Sequence, residues 1–186
     1  MAQALIVILM LVAVFLDQIS KYLVVIYMEL GESVDVIPGV FRFTYIHNKG
    51  AAFGSMTENR WLFMILSTVA IIAIIVYIFW KKPQNKLMLT SLILIVGGGI
   101  GNMIDRIRLG YVIDFLDFCA FPKLWMWVFN VADAFVVVGS GMMMLWLILD
   151  MIKESKAEKA KKLAISGAEN ASDTNASGTT DGGENE

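Results

Sequence analysis

The stretch Phe129-Asn130-Val131-Ala132-Asp133 stands at the start of an apolar run that continues without another charged residue to Leu149. A run of this length can cross the hydrocarbon core of a bilayer as a helix. A carboxylate near the start of such a helix costs free energy, because a charged group is poorly solvated in the membrane. Ionisable residues inside a membrane usually mark a functional site. Asp133 is therefore the first candidate site residue.

Composition places the chain in a membrane. Of the 186 residues, 58% are hydrophobic and 17% are charged, and the mean hydropathy is +0.68. The net charge of -2 gives no basic excess of the kind that nucleic-acid binding needs. The chain has one cysteine, Cys119, which excludes an intramolecular disulfide, and one histidine, His47, so an ordinary zinc cluster is also excluded. Cofactor-free chemistry, transport or scaffolding in a membrane remain.

Four apolar segments are long enough to span a bilayer, at about residues 4–28, 61–80, 87–104 and 129–149. The first could instead contain the core of a secretory signal, but no basic residue precedes it and no small-x-small cleavage site follows it. Gly97 and Gly101 in the third segment favour close helix packing. The pattern predicts a mainly α membrane protein with four transmembrane helices.

Two of the loops have β-strand patterns. A Pro38-Gly39 turn signal precedes alternating residues at 41–45, and residues 111–118 are rich in β-formers. Between the first of these strands and the second span, the small-residue segment at 47–54 would allow close backbone approach. Residues 121–128 are typical of an interfacial aromatic belt. We therefore expect one short strand in each of these two loops.

The charges outside the spans predict the orientation and a tail. Eight Lys/Arg lie on the side that holds both termini and six on the other, so both termini are expected in the cytoplasm. Residues 153–186 begin with lysines and continue as a Ser/Gly/Asn-rich acidic segment that is typical of disorder. We therefore expect a membrane domain over residues 1–152 and a basic, then disordered acidic tail over residues 153–186.

Up-and-down threading of four spans brings five charged side chains to one leaflet, whichever way the chain is oriented. Asp17 and Lys21 are four residues apart on one helix face, which fits either a self-neutralising ion pair or a site role. Asp105 ends the third span, Asp114 is in the third loop and Asp133 opens the fourth span. If these groups face inward, they make one polar pocket at the outer membrane surface.

Three cofactor-free catalytic devices are conceivable in such a pocket. Ser20 and Lys21 are neighbours on a helix and do not face each other. Cys119 and His47 lack an orienting partner in a defined place, and a lone apolar-flanked cysteine is usually a small hydrophobe. Two carboxylates that share a proton remain, because like charges a few Å apart cannot both ionise in a low dielectric.

The second member of such a pair is Asp114 or Asp105. Arg106 and Arg108 could hold Asp105 ionised in a structural ion pair. Asp114 lies among apolar residues with no adjacent base, which favours a raised pKa, so it is preferred. The alternative for all these residues is that they are hydrogen-bonding struts between loops and helices.

The polar positions fall into five ordered motifs, which together cover about residues 4–152. They resemble lipoprotein signal peptidase, also called signal peptidase II, a family of bacterial membrane aspartyl proteases. The motifs are Asp17-Gln-Ile-Ser-Lys21, Asn48-Lys-Gly50-Ala-Ala-Phe53, Gly97-Gly-Gly-Ile-Gly101-Asn102-Met-Ile-Asp105-Arg106, Val112-Ile-Asp114-Phe and Phe129-Asn130-Val-Ala132-Asp133.

The resemblance implies cleavage of prolipoprotein signal peptides just before a diacylglyceryl-modified cysteine, with Asp114 and Asp133 as the catalytic dyad. It implies four spans, a periplasmic β platform and a mobile segment over an active site near the outer leaflet of the bacterial inner membrane. No metal or cofactor is implied; the partners are prolipoproteins and membrane lipid, and we expect a monomer. The residues implied to bind substrate or support the site are Asp17, Lys21, Asn48, Gly50, Asn102, Asp105, Arg106, Asn130 and Ala132.

Two interpretations from other classes stay open at this point. An ion-coupled carrier would have acids spread across the bilayer and often inverted repeats, whereas this sequence has its acids at one depth and no repeat. A non-catalytic assembly factor would use the polar residues as struts. The resemblance does not account for the acidic tail from about Ser166, and Pro122 and Lys123 leave the shape of the loop between the two aspartates open.

Overall fold

The computed structural model describes residues 3–50, 60–120 and 127–177. The small-residue segment from Ala51 onward, most of the expected aromatic belt, with Pro122 and Lys123, and residues 178–186 lie outside this part. The elements are α1 (Gln3–Tyr27), β1 (Ser33–Ile37), β2 (Phe41–Asn48), α2 (Arg60–Lys81), α3 (Lys86–Arg108), β3 (Val112–Phe118), β4 (Val128–Phe129) and α4 (Val131–Ser177).

All four helices are long and apolar enough to cross a membrane, with mean hydropathies of 1.9 to 2.2 over their most apolar windows. Their outward apolar side chains are exposed in the isolated chain, among them Leu11 and Phe15 at 62% and 63%. In a soluble protein such a surface would aggregate, whereas a bilayer covers it. The predicted fold class, four spans with a small sheet, is confirmed.

The helix ends differ from the predicted spans at two places that matter for the site. The third helix continues to Arg108 rather than ending near Ile104, so Asp105 and Arg106 are helical. The fourth helix begins at Val131, because residues 128–129 form β4 instead of helix. Asn130 therefore lies between a strand and a helix, where a side chain can cap the helix N-terminus.

The fourth helix also continues to Ser177, through more than half of the acidic segment from about Ser166 for which the sequence predicted disorder. Lys, Ala and Glu are strong helix formers, and they dominate residues 153–165. Lys162 Nζ lies 2.7 Å from Glu158 Oε1, one turn earlier.

By its contacts the chain divides into two compact units, residues 1–143 and 144–186, and the sheet belongs to the first.

The four strands form one antiparallel sheet in the order β1-β2-β3-β4. The two predicted strands are β2 and β3, whereas β1 and β4 were not predicted. Ile46 of β2 faces Asp114 of β3 in the register, and Asn48 faces Val112. At the other edge of β3, Leu116 pairs with Phe129. The sheet thus brings the end of β2, the start of β3 and the residue before α4 together.

Glycines on α3 allow close approach of α1 and α4, as predicted for Gly97 and Gly101. A Cβ at Gly97 would lie 2.6 Å from the Cβ of Ala13, and one at Gly101 would collide with the Asp17 carboxylate. A Cβ at Gly98 would collide with the carbonyl oxygen of Ala132. Any side chain at these positions would push apart the helices that carry the charged residues.

Candidate active site

Asp133 is held in the first turn of α4 by a reciprocal pair of hydrogen bonds with Asn130. The backbone N–H of Asp133 donates to Asn130 Oδ1 at 2.9 Å, and the backbone N–H of Asn130 donates to Asp133 Oδ2 at 3.3 Å. This arrangement satisfies N–H groups that have no partner within the helix. It fixes the direction in which the Asp133 carboxylate leaves the helix.

Asp114 lies on β3 with 1% of its surface exposed. Its two carboxylate oxygens each accept a hydrogen bond from an asparagine amide. Asn48 Nδ2 donates to Asp114 Oδ2 at 2.7 Å, and Asn130 Nδ2 donates to Asp114 Oδ1 at 2.6 Å. The partners come from β2 and from the residue before α4, so the sheet pairing is what assembles them.

Gly50 fixes the orientation of the Asn48 side chain. Its backbone has φ +94°, a conformation that glycine adopts without strain, and its N–H donates to Asn48 Oδ1 at 2.9 Å. Since Oδ1 of Asn48 accepts from this turn, Nδ2 is the end of the amide that points at Asp114.

Two asparagines connect the two carboxylates. Asn102 Nδ2 donates to Asp133 Oδ1 at 2.7 Å, while Asn102 Oδ1 accepts from Asn130 Nδ2 at 3.1 Å. Asn130 Nδ2 also donates to Asp114. Asp114 and Asp133 therefore belong to one hydrogen-bonded network, although 19 positions separate them in the sequence.

Burial raises the pKa of Asp114 to about 7. The negative charge of Asp133 raises it as well, and the amide hydrogen bonds from Asn48 and Asn130 act in the opposite direction. The sequence predicted a raised pKa from the apolar neighbours of Asp114, and the direction agrees. A carboxyl group in this range can hold or release a proton at neutral pH.

Lys21 is the cation at the centre of the site, and it is 2% exposed. Its Nζ lies 2.9 Å from Asp17 Oδ2, 2.8 Å from Asp105 Oδ2 and 3.0 Å from Asn102 Oδ1. All three donors of the ammonium group are thus used. Asp17 and Lys21 form the expected pair on one helix face, and Asp105 joins them from α3.

The ion pair of Asp105 differs from the sequence prediction, which gave it Arg106 or Arg108 as partner. Its cation is Lys21, 84 positions earlier in the chain. The side chain of Arg106 instead donates from Nη1 to the carbonyl oxygen of Asn102 at 3.2 Å. Residues adjacent on a helix point in different directions, which is why proximity in sequence was misleading here.

The two carboxylates beside Lys21 each hold the backbone of a residue next to Asp114 or Asp133. Asp17 Oδ1 accepts from the N–H of Ala132, which precedes Asp133, at 2.9 Å. Asp105 Oδ2 accepts from the N–H of Ile113, which precedes Asp114, at 3.2 Å. Lys21 therefore links the positions of both aspartates through one charge cluster.

Gln18 belongs to this cluster and was missed as a site residue, although it lies within the first motif. Its Nε2 donates to Asp105 Oδ1 at 3.0 Å, to Asp17 Oδ2 at 3.1 Å and to the carbonyl oxygen of Gly101 at 3.2 Å. Gln18 precedes Lys21 by three positions on α1, and residues at this spacing lie on the same helix face. This spacing could have predicted that Gln18 is part of the cluster.

A cleft of about 600 Å³ between α2, α3 and α4 opens onto Asp133. Its polar end carries Asn48, Asn102 and Arg106, and the remainder is lined mainly by apolar side chains. Among the described residues, no group of three His, Cys, Asp or Glu side chains could hold a metal ion. The cleft can hold an amphipathic molecule beside Asp133.

Comparison with known proteins points to a single family. A family model described as signal peptidase (SPase) II matches residues 9–149. A lipoprotein signal peptidase from Caldanaerobacter subterraneus subsp. tengcongensis is 50% identical over 127 residues, 68% of this chain and 84% of that protein. One from Halothermothrix orenii is 42% identical over 140 residues, 75% and 92% of the two chains.

Two solved structures of bacterial membrane enzymes have a similar fold. A bacterial membrane enzyme determined by the in meso method at 2.3 Å resolution superposes with a TM-score of 0.73 and 29% identity, over 81% of this chain and 91% of that one. A second such structure, at 1.9 Å resolution, gives a TM-score of 0.71 and 29% identity, over 78% and 94% of the two chains.

Proposed function

The chain belongs to the signal peptidase II family, and from that premise we propose that it is an aspartic endopeptidase for prolipoproteins. It removes the signal peptide just before the diacylglyceryl-modified cysteine. Membership of this bacterial family and the four apolar helices support a location in the bacterial inner membrane. Both termini would lie in the cytoplasm and the active site near the outer leaflet.

The observation that carries the proposal is the pair of carboxylates, Asp114 and Asp133, tied into one buried amide network at the end of an apolar cleft. Asp114 and Asn130 are almost fully buried, at 1% and 0% exposed. Two acids in a low dielectric with a shared network favour a state that holds one proton between them. That state supplies an acid and a base together, without a cofactor.

In the proposed reaction, Asp133 accepts a proton from water while the water oxygen attacks the carbonyl carbon before the lipidated cysteine. Asp114 gives its proton to the carbonyl oxygen, which forms a gem-diol. Asp133 then passes its proton to the leaving amine as the C–N bond breaks, and Asp114 recovers a proton from the diol. The negative charge of Asp133 raises the pKa of Asp114, so Asp114 is the member that holds the proton and Asp133 is the initial base.

The location of the acids also favours a protease over an ion-coupled carrier. A carrier needs ionisable groups along a path across the bilayer. Here the buried acids Asp17, Asp105 and Asp114 and the partly buried Asp133 are joined in one network through Lys21, Asn102 and Asn130. A diacylated cysteine presents its peptide bond near the headgroup layer, which suits acids gathered at one level.

Purified protein in lipid vesicles is expected to cleave a diacylglyceryl prolipoprotein and to cleave the same precursor without lipid at least about a hundredfold less efficiently, because the acyl chains hold the substrate in the bilayer. The measurement is kcat/KM with mass analysis of the new N-terminus. Equal cleavage of both precursors, or a cut elsewhere than before the cysteine, would contradict the proposal.

The pH dependence of kcat/KM should report the protonated state of Asp114. Because its pKa is raised to about 7, the reactive form is present below that pH and is lost as the pH rises through it. The apparent constant belongs to the pair of aspartates rather than to either one. We therefore expect the alkaline limb of the profile close to neutral pH.

Asn48→Ala should move this alkaline limb to higher pH, since the Asn48 amide stabilises the ionised form of Asp114. Gln84→Ala is a matched control, because its amide is exposed and donates only to the Lys82 carbonyl within the described residues. A flat profile from about pH 5 to about pH 9, or a limb that Asn48→Ala leaves in place, would argue against the shared-proton pair.

A further inference from the structure

One face of α2 carries a single hydroxyl into the cleft. Ser67, Ala70, Ile71 and Ile74 follow the i, i+3, i+4, i+7 spacing of one helix face, and all four line the cleft. Three of these side chains are apolar. Ser67 stands at the end of this stripe that is nearer the N-terminus of α2.

Contacts between α2 and α3 give the level of Ser67 relative to the aspartates. The hydroxyl of its neighbour Thr68 lies 3.9 Å from Met103 Sδ, and Met103 directly follows Asn102, which binds Asp133. Ile71, one turn further along α2, lies beside Gly99, where an added Cβ would be 2.9 Å from Ile71 Cδ1. Ser67 is therefore near the border between the polar end and the apolar floor of the cleft.

The Ser67 hydroxyl has no hydrogen-bond partner among the described residues, unlike its neighbour. Thr68 Oγ1 donates to the carbonyl oxygen of Met64 at 2.7 Å, the common way for a hydroxyl to be satisfied on a membrane helix. Ser67 is exposed to the cleft instead. Once a substrate displaces water from an apolar cleft, a hydroxyl without a partner is costly, so the occupant should supply one.

We propose that Ser67 binds an ester carbonyl of the substrate's diacylglyceryl group and so determines specificity for it; this inference rests on the proposed function. The cleft is polar at one end and apolar along the rest. The substrate changes in the same way along its length, from the peptide bond through the thioether and the glycerol esters to the acyl chains. With the peptide at Asp133 and a chain against Ile71 and Ile74, the esters fall at the level of Ser67. An ester carbonyl is an acceptor only, and Ser67 is a donor.

The test uses two prolipoprotein substrates with the same alkyl length, one ester-linked and one ether-linked at the glycerol. The ether lacks the carbonyl that Ser67 would bind. Ser67→Ala is expected to raise KM for the ester substrate about three- to tenfold with kcat little changed, the effect of one lost neutral hydrogen bond made in the ground and transition states alike. For the ether substrate, Ser67→Ala should not raise KM, because the hydroxyl has no carbonyl to bind there.

Two further variants separate this role from a structural one. Ser67→Thr keeps the hydroxyl and should retain the low KM for the ester substrate. Thr68→Ala removes a neighbouring hydroxyl that does not line the cleft and should match the wild type on both substrates.

An unchanged KM of Ser67→Ala for the ester substrate would overturn the inference. An equal rise for both substrates would also overturn it, because the hydroxyl would then bind the peptide and not the ester. If the wild type cleaves neither substrate, the proposed function fails and the inference fails with it. If the wild type cleaves efficiently and Ser67→Ala has the same KM as the wild type, only the inference fails and the proposed function stands.

Discussion

Asp133→Asn is expected to lower kcat/KM by at least about a thousandfold, and Asp114→Asn by a similar factor. The amide oxygen introduced by Asp133→Asn could still accept the hydrogen bond that Asn102 gives at 2.7 Å, so the site should keep its shape. The amide could not take a proton from water at neutral pH. An amide at position 114 likewise has no acidic proton to give to the carbonyl oxygen.

Asp117→Asn is a matched control for the two dyad variants. Asp117 lies on the same strand as Asp114, but its carboxylate accepts from Arg42 Nε at 2.6 Å and from Thr44 Oγ1 at 2.9 Å, within the sheet. It should retain most of the wild-type turnover. The measurement compares initial rates at equal concentrations of folded protein, and a dyad variant that keeps more than about a tenth of wild-type turnover would contradict an acid–base role.

Lys21→Met should cost about 3 to 5 kcal/mol of stability and abolish turnover, the other large effect that we expect. Methionine matches the length of the lysine stem but removes the charge that lies within 2.9 Å of both Asp17 and Asp105. Two buried carboxylates would then lose the cation that lies between them. Because they hold the backbone at Ala132 and Ile113, their displacement would move both dyad residues.

Thermal unfolding in detergent, followed by circular dichroism, measures this loss of stability. Lys162→Met is the control, since its ion pair with Glu158 is 74% and 68% exposed and contributes little. Replacing Lys21, Asp17 and Asp105 together by Met, Asn and Asn should recover much of the stability, because neutral amide oxygens can still accept from the two backbone N–H groups. A Lys21→Met protein as stable as the wild type would show that this charge cluster does not hold the site.

Much of the fold follows from local sequence patterns. Uninterrupted apolar runs predict the helices because the bilayer imposes their length. The glycines of α3 predict close packing, and the Pro38-Gly39 turn followed by alternation predicts β2. The placement of Asp17, Lys21 and Asp133 in one leaflet follows from threading alone, which needs only the number of spans.

Other features depend on partners far apart in the chain, and no local pattern reports them. β4 has two residues and exists because Leu116 and Asp117 pair with it. Lys21 meets Asp105 across the α1–α3 interface, which Gly97 and Gly101 bring close. The rotation of each helix about its axis decides such contacts, and a sequence shows which face is apolar but not which neighbour a polar residue meets.

The most direct test of the two-aspartate site is cleavage of a diacylated prolipoprotein in lipid vesicles by Asp114→Asn and Asp105→Asn, side by side with the wild type. The Asp105 variant should keep measurable turnover, since an amide oxygen there can still accept from the Ile113 N–H and Asp17 still neutralises Lys21. The turnover of the Asp114 variant should fall at least about a thousandfold. A folded Asp114→Asn protein that still cleaves, beside an inactive Asp105→Asn protein, would contradict the assignment and make Asp105 the second catalytic acid.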